Sequence, residues 1–208
     1  MKPHRLAAAL ATLGAACLLP AGATLAAAAV GQPAPAFTAV DTAGKTVSLS
    51  DYKGRHVVLE WVNPGCPYVR RHYDSASMQA TQKDATARGV VWLAVNSTAE
   101  DAGDYLAPAA LAGWMQAQQA AATATLMDAD GRIGRAYGAR TTPHMYVIDP
   151  AGKLVYAGAI DDRPRASVAE TPKAANHVRA ALTESLAGKA VSTPSTQPYG
   201  CSVKYSSM

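Results

Sequence analysis

Cysteine is scarce in this chain. Three occur in 208 residues, as Cys17, Cys66 and Cys201. No pair has the Cys-x-x-Cys spacing, so neighbouring thiols cannot form a local dithiol. Charge is sparse as well, at 16% of residues. No basic run is interleaved with aromatics, which sets aside a nucleic-acid partner. No internal repeat is visible, so a repeat array is not expected. Long apolar runs are missing too. The stretch from Leu6 to Leu19 is too short and too Ala-rich for a membrane span.

That stretch reads better as the core of a secretory signal, residues 1–28. Lys2, His4 and Arg5 precede it, and Ala26-Ala27-Ala28 offers a small-residue cleavage site, with a mature start near Ala29. Leu13 stands one place too early for a lipobox, so anchoring through Cys17 is not expected. Export puts the protein in the periplasm or outside the cell, where disulfides persist. Loss of Lys2 and Arg5 lowers the formal charge from +4 to +2, so the pI of about 9.0 carries no information about partners. Cys66 and Cys201 remain, enough for one bridge or two separate thiols. About 178 mature residues make one domain, 31–187, followed by a Ser/Thr/Pro-rich tail, 188–208, that carries Cys201.

The chain is organised around residues 57–72. Val57-Val58-Leu59-Glu60-Trp61-Val62 reads as a buried strand. Asn63-Pro64-Gly65 breaks it with a strong turn signal. Pro67 suits the first position of a helix, which puts Cys66 at the N-cap. There its sulfur meets unpaired backbone N–H groups and the positive end of the helix dipole, a setting that favours thiolate. The plain alternative is a buried, inert cysteine.

Around this stretch the pattern alternates strand and helix. Phe37–Val40 and Thr46–Leu49 form a hairpin around Asp41–Lys45. The helix from Pro67 is expected to run to about Arg88, where Gly89 stops it. Val90–Val95 is a second buried strand. Ala102–Ala122 is helical in propensity, with breaks at Pro108 and Gly113. Thr123–Met127 is a short strand, and Asp130–Tyr137 a short helix closed by Gly138. Met145–Ile148 and Lys153–Ala159 pair across the turn Asp149-Pro150-Ala151-Gly152. Thr171–Leu186 is a last helix, with Thr171 as its cap and Pro172 first inside. The order implies an α/β fold with a central mixed sheet and helices on both faces.

Three motifs in this order resemble the thioredoxin fold, in the peroxiredoxin-like branch of the alkyl hydroperoxide reductase/thiol-specific antioxidant (AhpC/TSA) redoxins. They are Asn63-Pro64-Gly65-Cys66-Pro67-Tyr68-Val69, Thr142-Pro143 before a strand, and Gly200-Cys201-Ser202-Val203-Lys204-Tyr205. The resemblance covers roughly residues 31–187 and the tail motif. It implies a thioredoxin-like fold and an exported thiol-disulfide oxidoreductase or peroxiredoxin-like antioxidant protein. Two departures stand out. Either frame of a Cys-x-x-Cys motif holds one cysteine, with Asn63 or Val69 in the other place. Asn63 and Pro143 also stand where peroxiredoxins carry peroxide-polarising Thr or Ser and Arg.

The resemblance assigns roles residue by residue. Cys66 is the nucleophile. Cys201 is a candidate resolving thiol, or else half of a static bridge. Glu60 matches a buried carboxylate that serves as proton shuttle, or is a sheet-edge Glu reaching solvent. Thr142 and Pro143, with a cis bond between them, would face Cys66 and pair with an incoming peptide, and Asn63 and Pro67 complete the substrate surface. Arg70, Arg71 and His72 read as a solvated helix face, and Asp161-Asp162-Arg163 as a turn. His144 with Cys66 falls one cysteine short of the copper-chaperone pattern, so no metal or cofactor is expected. The partners implied are a peroxide or a protein disulfide and an external thiol reductant. A non-catalytic binding module with a structural Cys66–Cys201 disulfide is the competing reading.

Overall fold

The computed structural model describes residues 27–207. Nearly all of the expected signal, Cys17 included, lies outside the described residues. In chain order the elements are β1 (Thr38–Asp41), β2 (Thr46–Ser48), β3 (Val57–Trp61), α1 (Pro67–Asp74), α2 (Ser77–Ala87), β4 (Val91–Asn96), α3 (Pro108–Ala117), β5 (Ala124–Met127), α4 (Arg132–Tyr137), β6 (Thr141–Thr142), β7 (Met145–Ile148), β8 (Leu154–Gly158), α5 (His177–Leu186) and β9 (Cys201–Ser202).

Strands β3 and β4 are buried at every position. Such strands must sit at the centre of a sheet covered on both faces. The seven-stranded sheet has the order β2-β1-β5-β4-β3-β7-β8. β3, β4 and β5 run parallel, and the outer pairings are antiparallel. Leu59 lies between Leu93 and Tyr146 in this register. Alternate residues then feed two cores. Val58, Val62, Trp92, Ala94 and Val147 pack with Val69 and Tyr73 of α1, Met78 of α2, Leu111 of α3 and Leu182 of α5. Leu59, Trp61, Leu93, Val95 and Tyr146 pack with Ile133 and Tyr137 of α4 on the other face. The mixed α/β, thioredoxin-like architecture expected from the sequence is the one observed. No helix among the described residues is long and apolar enough to cross a membrane.

Two local expectations are corrected. The helix expected over 67–88 is two helices, because Ala76 adopts a left-handed conformation, φ +57°. The freed Tyr73 carbonyl accepts from the Ala76 N–H at 2.9 Å and from Gln79 Nε2 at 3.0 Å, so the break leaves no orphan at that position. The helix expected over 171–186 begins only at His177. Asn176 caps it by accepting from the Arg179 N–H at 2.9 Å, while Thr171–Lys173 is a separate 3₁₀ turn. The tail is built into the fold. The Thr196 N–H donates to the Ala157 carbonyl of β8, and β9 pairs antiparallel with β6 as a second, two-stranded sheet.

Candidate functional site

The turn after β3 is shaped by Asn63. Its Oδ1 accepts from the Gly65 N–H at 2.7 Å, and its Nδ2 donates to Thr98 Oγ1 at 3.1 Å and to Asp104 Oδ2 at 3.0 Å. A β-carbon on Gly65 would come within 2.6 Å of Asp104 Oδ2, so this position has no room for a side chain. The Cys66 N–H closes the turn onto the Asn63 carbonyl at 3.0 Å. Cys66 is the N-cap of α1, and Pro67 is first inside the helix. Pro67 is exposed, whereas Asn63 is buried with its amide fully engaged, and Cys66 is only 2% exposed.

Thr142 forms the opposite wall. The Thr142–Pro143 peptide bond is cis. The Cys66 thiol donates to the Thr142 carbonyl at 3.0 Å. The Thr142 hydroxyl is buried and has no conventional hydrogen-bond partner. β9 then places Cys201 directly across from Thr142, and Ser202 across from Thr141. Thus five of the sequence-derived residues, Cys66, Cys201, Thr142, Pro143 and Pro67, come together at one mouth. Both cysteines are free thiols.

Opposed effects set the ionisation of Cys66. Burial pushes its thiol up. The nearby Cys201 thiol, the Thr142 side chain and the Val69 and Cys201 N–H groups favour the thiolate, outweigh that and hold it below the ordinary thiol range. Cys66 makes no conventional side-chain cap to the helix. Its activation therefore rests more on the facing strand and the tail than on the helix end alone. Cys201 moves the opposite way: burial, and then the neighbouring Cys66, push it up to about 12. One thiol of the pair is poised to ionise and the other to stay protonated.

Glu60 is completely buried in β3, not at a sheet edge. It accepts from Tyr73 Oη at 2.9 Å, Gln82 Nε2 at 2.9 Å and Trp92 Nε1 at 2.7 Å. Burial outweighs these three donors and raises its pKa. No direct hydrogen bond joins it to Cys66, so any proton passing between them needs a carrier. His144 is kept neutral: burial, aided by Arg140, lowers it to about 3.

Arg71 and His72 are not a solvated face. His72 is fully buried, and its Nε2 lies 3.1 Å from Tyr199 Oη. Burial and then Arg71 lower its pKa to about 3. Arg71 donates to Tyr199 Oη at 3.1 Å and to the carbonyls of Pro164 and Ala166. Tyr199 Oη in turn donates to Asp161 Oδ1 at 2.5 Å. This cluster, two residues before Cys201, is the part of the site that sequence reasoning missed. Tyr199 lies 38 positions from Asp161 and 128 from Arg71, and no local pattern connects them.

With this geometry in place, the comparisons with known proteins are informative. Residues 30–157 match the AhpC/TSA family model. The chain belongs to the AhpC/TSA family. This family member is similar to the thiol-disulfide oxidoreductase ResA of Bacillus subtilis (strain 168), at 27% identity over 132 residues. That match covers 60% of this chain and 64% of ResA, so it spans less than two thirds of the relative. A hypothetical protein from Sinorhizobium meliloti 1021 aligns over 88% of this chain and 98% of its own, with a TM-score of 0.75 at 24% identity, a likeness of fold. An uncharacterized conserved protein from Geobacillus kaustophilus aligns over 86% and 94%, with a TM-score of 0.73 at 28% identity.

Proposed function

We propose that this AhpC/TSA family member is an exported, thiol-dependent oxidoreductase in which Cys66 is the nucleophile and Cys201 the resolving thiol. The observation that carries the reading is the asymmetric pair itself: Cys66 is held below the ordinary thiol range by a neighbour that is pushed to about 12. The resemblance to a named thiol-disulfide oxidoreductase supports the reaction class. The charged, then Ala-rich, N-terminal sequence supports export.

The Cys66 thiolate attacks a disulfide sulfur or the terminal oxygen of a peroxide. A thiolate leaves from a disulfide, or water or an alcohol leaves from a peroxide after taking a proton, and Cys66 is left as a mixed disulfide or a sulfenic acid. Cys66 then carries no charge, so one of the causes that raised Cys201 disappears. The Cys201 sulfur loses its proton and attacks the Cys66 sulfur, expelling the second thiolate or water and closing a 66–201 disulfide. An external thiol reductant returns the two electrons. Thr142 positions Cys66, and Glu60 is the candidate proton reservoir beneath it. Neither step calls for a cofactor.

The test is turnover of hydrogen peroxide and of a small disulfide with a dithiol donor. Cys66→Ser should lose turnover of both, and Cys201→Ser should accumulate Cys66 sulfenic acid or mixed disulfide. Full turnover in Cys66→Ser would overturn the proposal. No turnover in the parent, with stability lost on reduction, would make the pair a structural bridge in a binding module.

A further inference from the structure

We propose that the C-terminal tail is a built-in substitute for a peptide substrate: it occupies the backbone edge beside Cys66, so the resting protein admits small oxidants and excludes extended protein disulfides until the tail lifts. This rests on the reading of Cys66 as a nucleophile and adds its substrate class.

The argument begins with β6. A short strand beside a reactive thiol offers backbone N–H and C=O groups, and an extended peptide binds such an edge by adding a strand. Here the edge is taken. Cys201 and Ser202 pair antiparallel with Thr142 and Thr141. The residue opposite Thr142 is the one brought to the Cys66 sulfur, which is itself 3.0 Å from the Thr142 carbonyl. Cys201 therefore stands where the cysteine of a bound peptide disulfide would have to stand. A peptide and the tail cannot both be there.

The tail is also fastened for this purpose on both sides of Cys201. Upstream, Tyr199 donates to Asp161 and accepts from Arg71. Downstream, Lys204 Nζ donates to Asp104 Oδ2 at 2.6 Å, the same oxygen that Asn63 of the active-site turn holds. Tyr205 Oη donates to the Ala139 carbonyl at 2.7 Å, with the Arg135 guanidinium 4.6 Å from its ring centre. Between the fastenings, Gly200 lies flat against the edge. Its φ is +141°, and a β-carbon there would sit 2.0 Å from the Thr142 carbonyl oxygen. With the tail seated, Cys66 is 2% exposed. A peroxide or a small disulfide needs only a brief opening at this point, whereas a folded protein needs the whole edge.

Gly200→Ala should lift the tail with Cys201 still attached to it. Tyr199→Phe, which removes the upstream fastening without steric conflict, is the second variant. Thiol–disulfide exchange is measured with insulin and with hydroxyethyl disulfide, together with amide hydrogen exchange across 199–205. Both variants should speed amide exchange in that segment. They should raise the insulin rate relative to the hydroxyethyl disulfide rate by about ten-fold, the effect of losing one or two net hydrogen bonds. An unchanged ratio with faster amide exchange would overturn the proposal, as would amide exchange that neither variant changes. If no protein reacts with either disulfide through Cys66, the disulfide-exchange half of the oxidoreductase reading fails separately. The tail is then judged by alkylation of Cys66: a bulky maleimide must gain more than iodoacetamide in Gly200→Ala, or the proposal falls too.

Discussion

Replacing Cys201 by alanine should raise the pKa of Cys66. The sulfur is buried, and burial alone pushes it up. What reverses this is a set of donors, led by the Cys201 thiol. Cys201→Ala removes that donor and keeps the β9 backbone, whose N–H also faces the Cys66 sulfur. A hydrogen bond to a charged group is worth about 1.5–3 kcal/mol, and one pKa unit is about 1.4 kcal/mol. The expected rise is therefore about one to two units. Like-charge repulsion adds nothing to this balance, because Cys201, at about 12, is neutral near pH 7. The assay is the rate of iodoacetamide alkylation against pH in the fully reduced protein, checked by thiolate ultraviolet absorbance. A pKa that stays put or falls would refute the reasoning. A fall would mean that Cys201 carries the charge and Cys66 the proton.

Other expectations follow from the same contacts. Thr142→Val removes a buried hydroxyl that has no conventional partner but favours the Cys66 thiolate, so the alkylation pKa should rise while denaturant stability changes little. Glu60 has a raised pKa in the folded state, so its contribution to stability is fully present below its unfolded value, about 4.3, and is lost as pH rises through the folded value. Thermal melts of the parent should therefore lose stability as pH rises above that range. Glu60→Gln should flatten the slope and also lower stability by about 1–3 kcal/mol, since its amide –NH₂ would face one or more of the three donors. Ala76→Gly should relieve the left-handed residue between α1 and α2 and stabilise by about 0.5–1 kcal/mol, a rise of roughly 1–4 °C in melting temperature.

The parts of the fold that were legible in the sequence were those with local causes. The run from Val57 to Val62 ends in a turn triplet, and Pro67 suits the first helical position, so the N-cap position of Cys66 follows from its neighbours alone. Asp149-Pro150-Ala151-Gly152 likewise announced its hairpin. The break at Ala76 did not show, because alanine is the best helix former and nothing near it is a Gly or Pro. Asn176 does not stand out as a cap in the sequence, because Thr171-Pro172 offers an equally good local signal five residues earlier. The seating of the tail was hidden for a different reason. Its Ser/Thr/Pro composition resembles a linker, while the groups that hold it, Asp161, Asp104, Arg135 and Thr142, are scattered through the domain. The sequence indicated that Cys201 existed, and only the fold placed it against Cys66.

The central claim is that Cys66 and Cys201 act as one redox pair. The most direct measurement is to treat the reduced protein with stoichiometric hydrogen peroxide, block remaining thiols and map the peptides by mass. The account predicts an intramolecular disulfide joining the Cys66 and Cys201 peptides, formed at a rate independent of protein concentration and reversed by a dithiol. Recovery of both cysteines as free thiols, or of Cys66 over-oxidised beside an untouched Cys201, would contradict it.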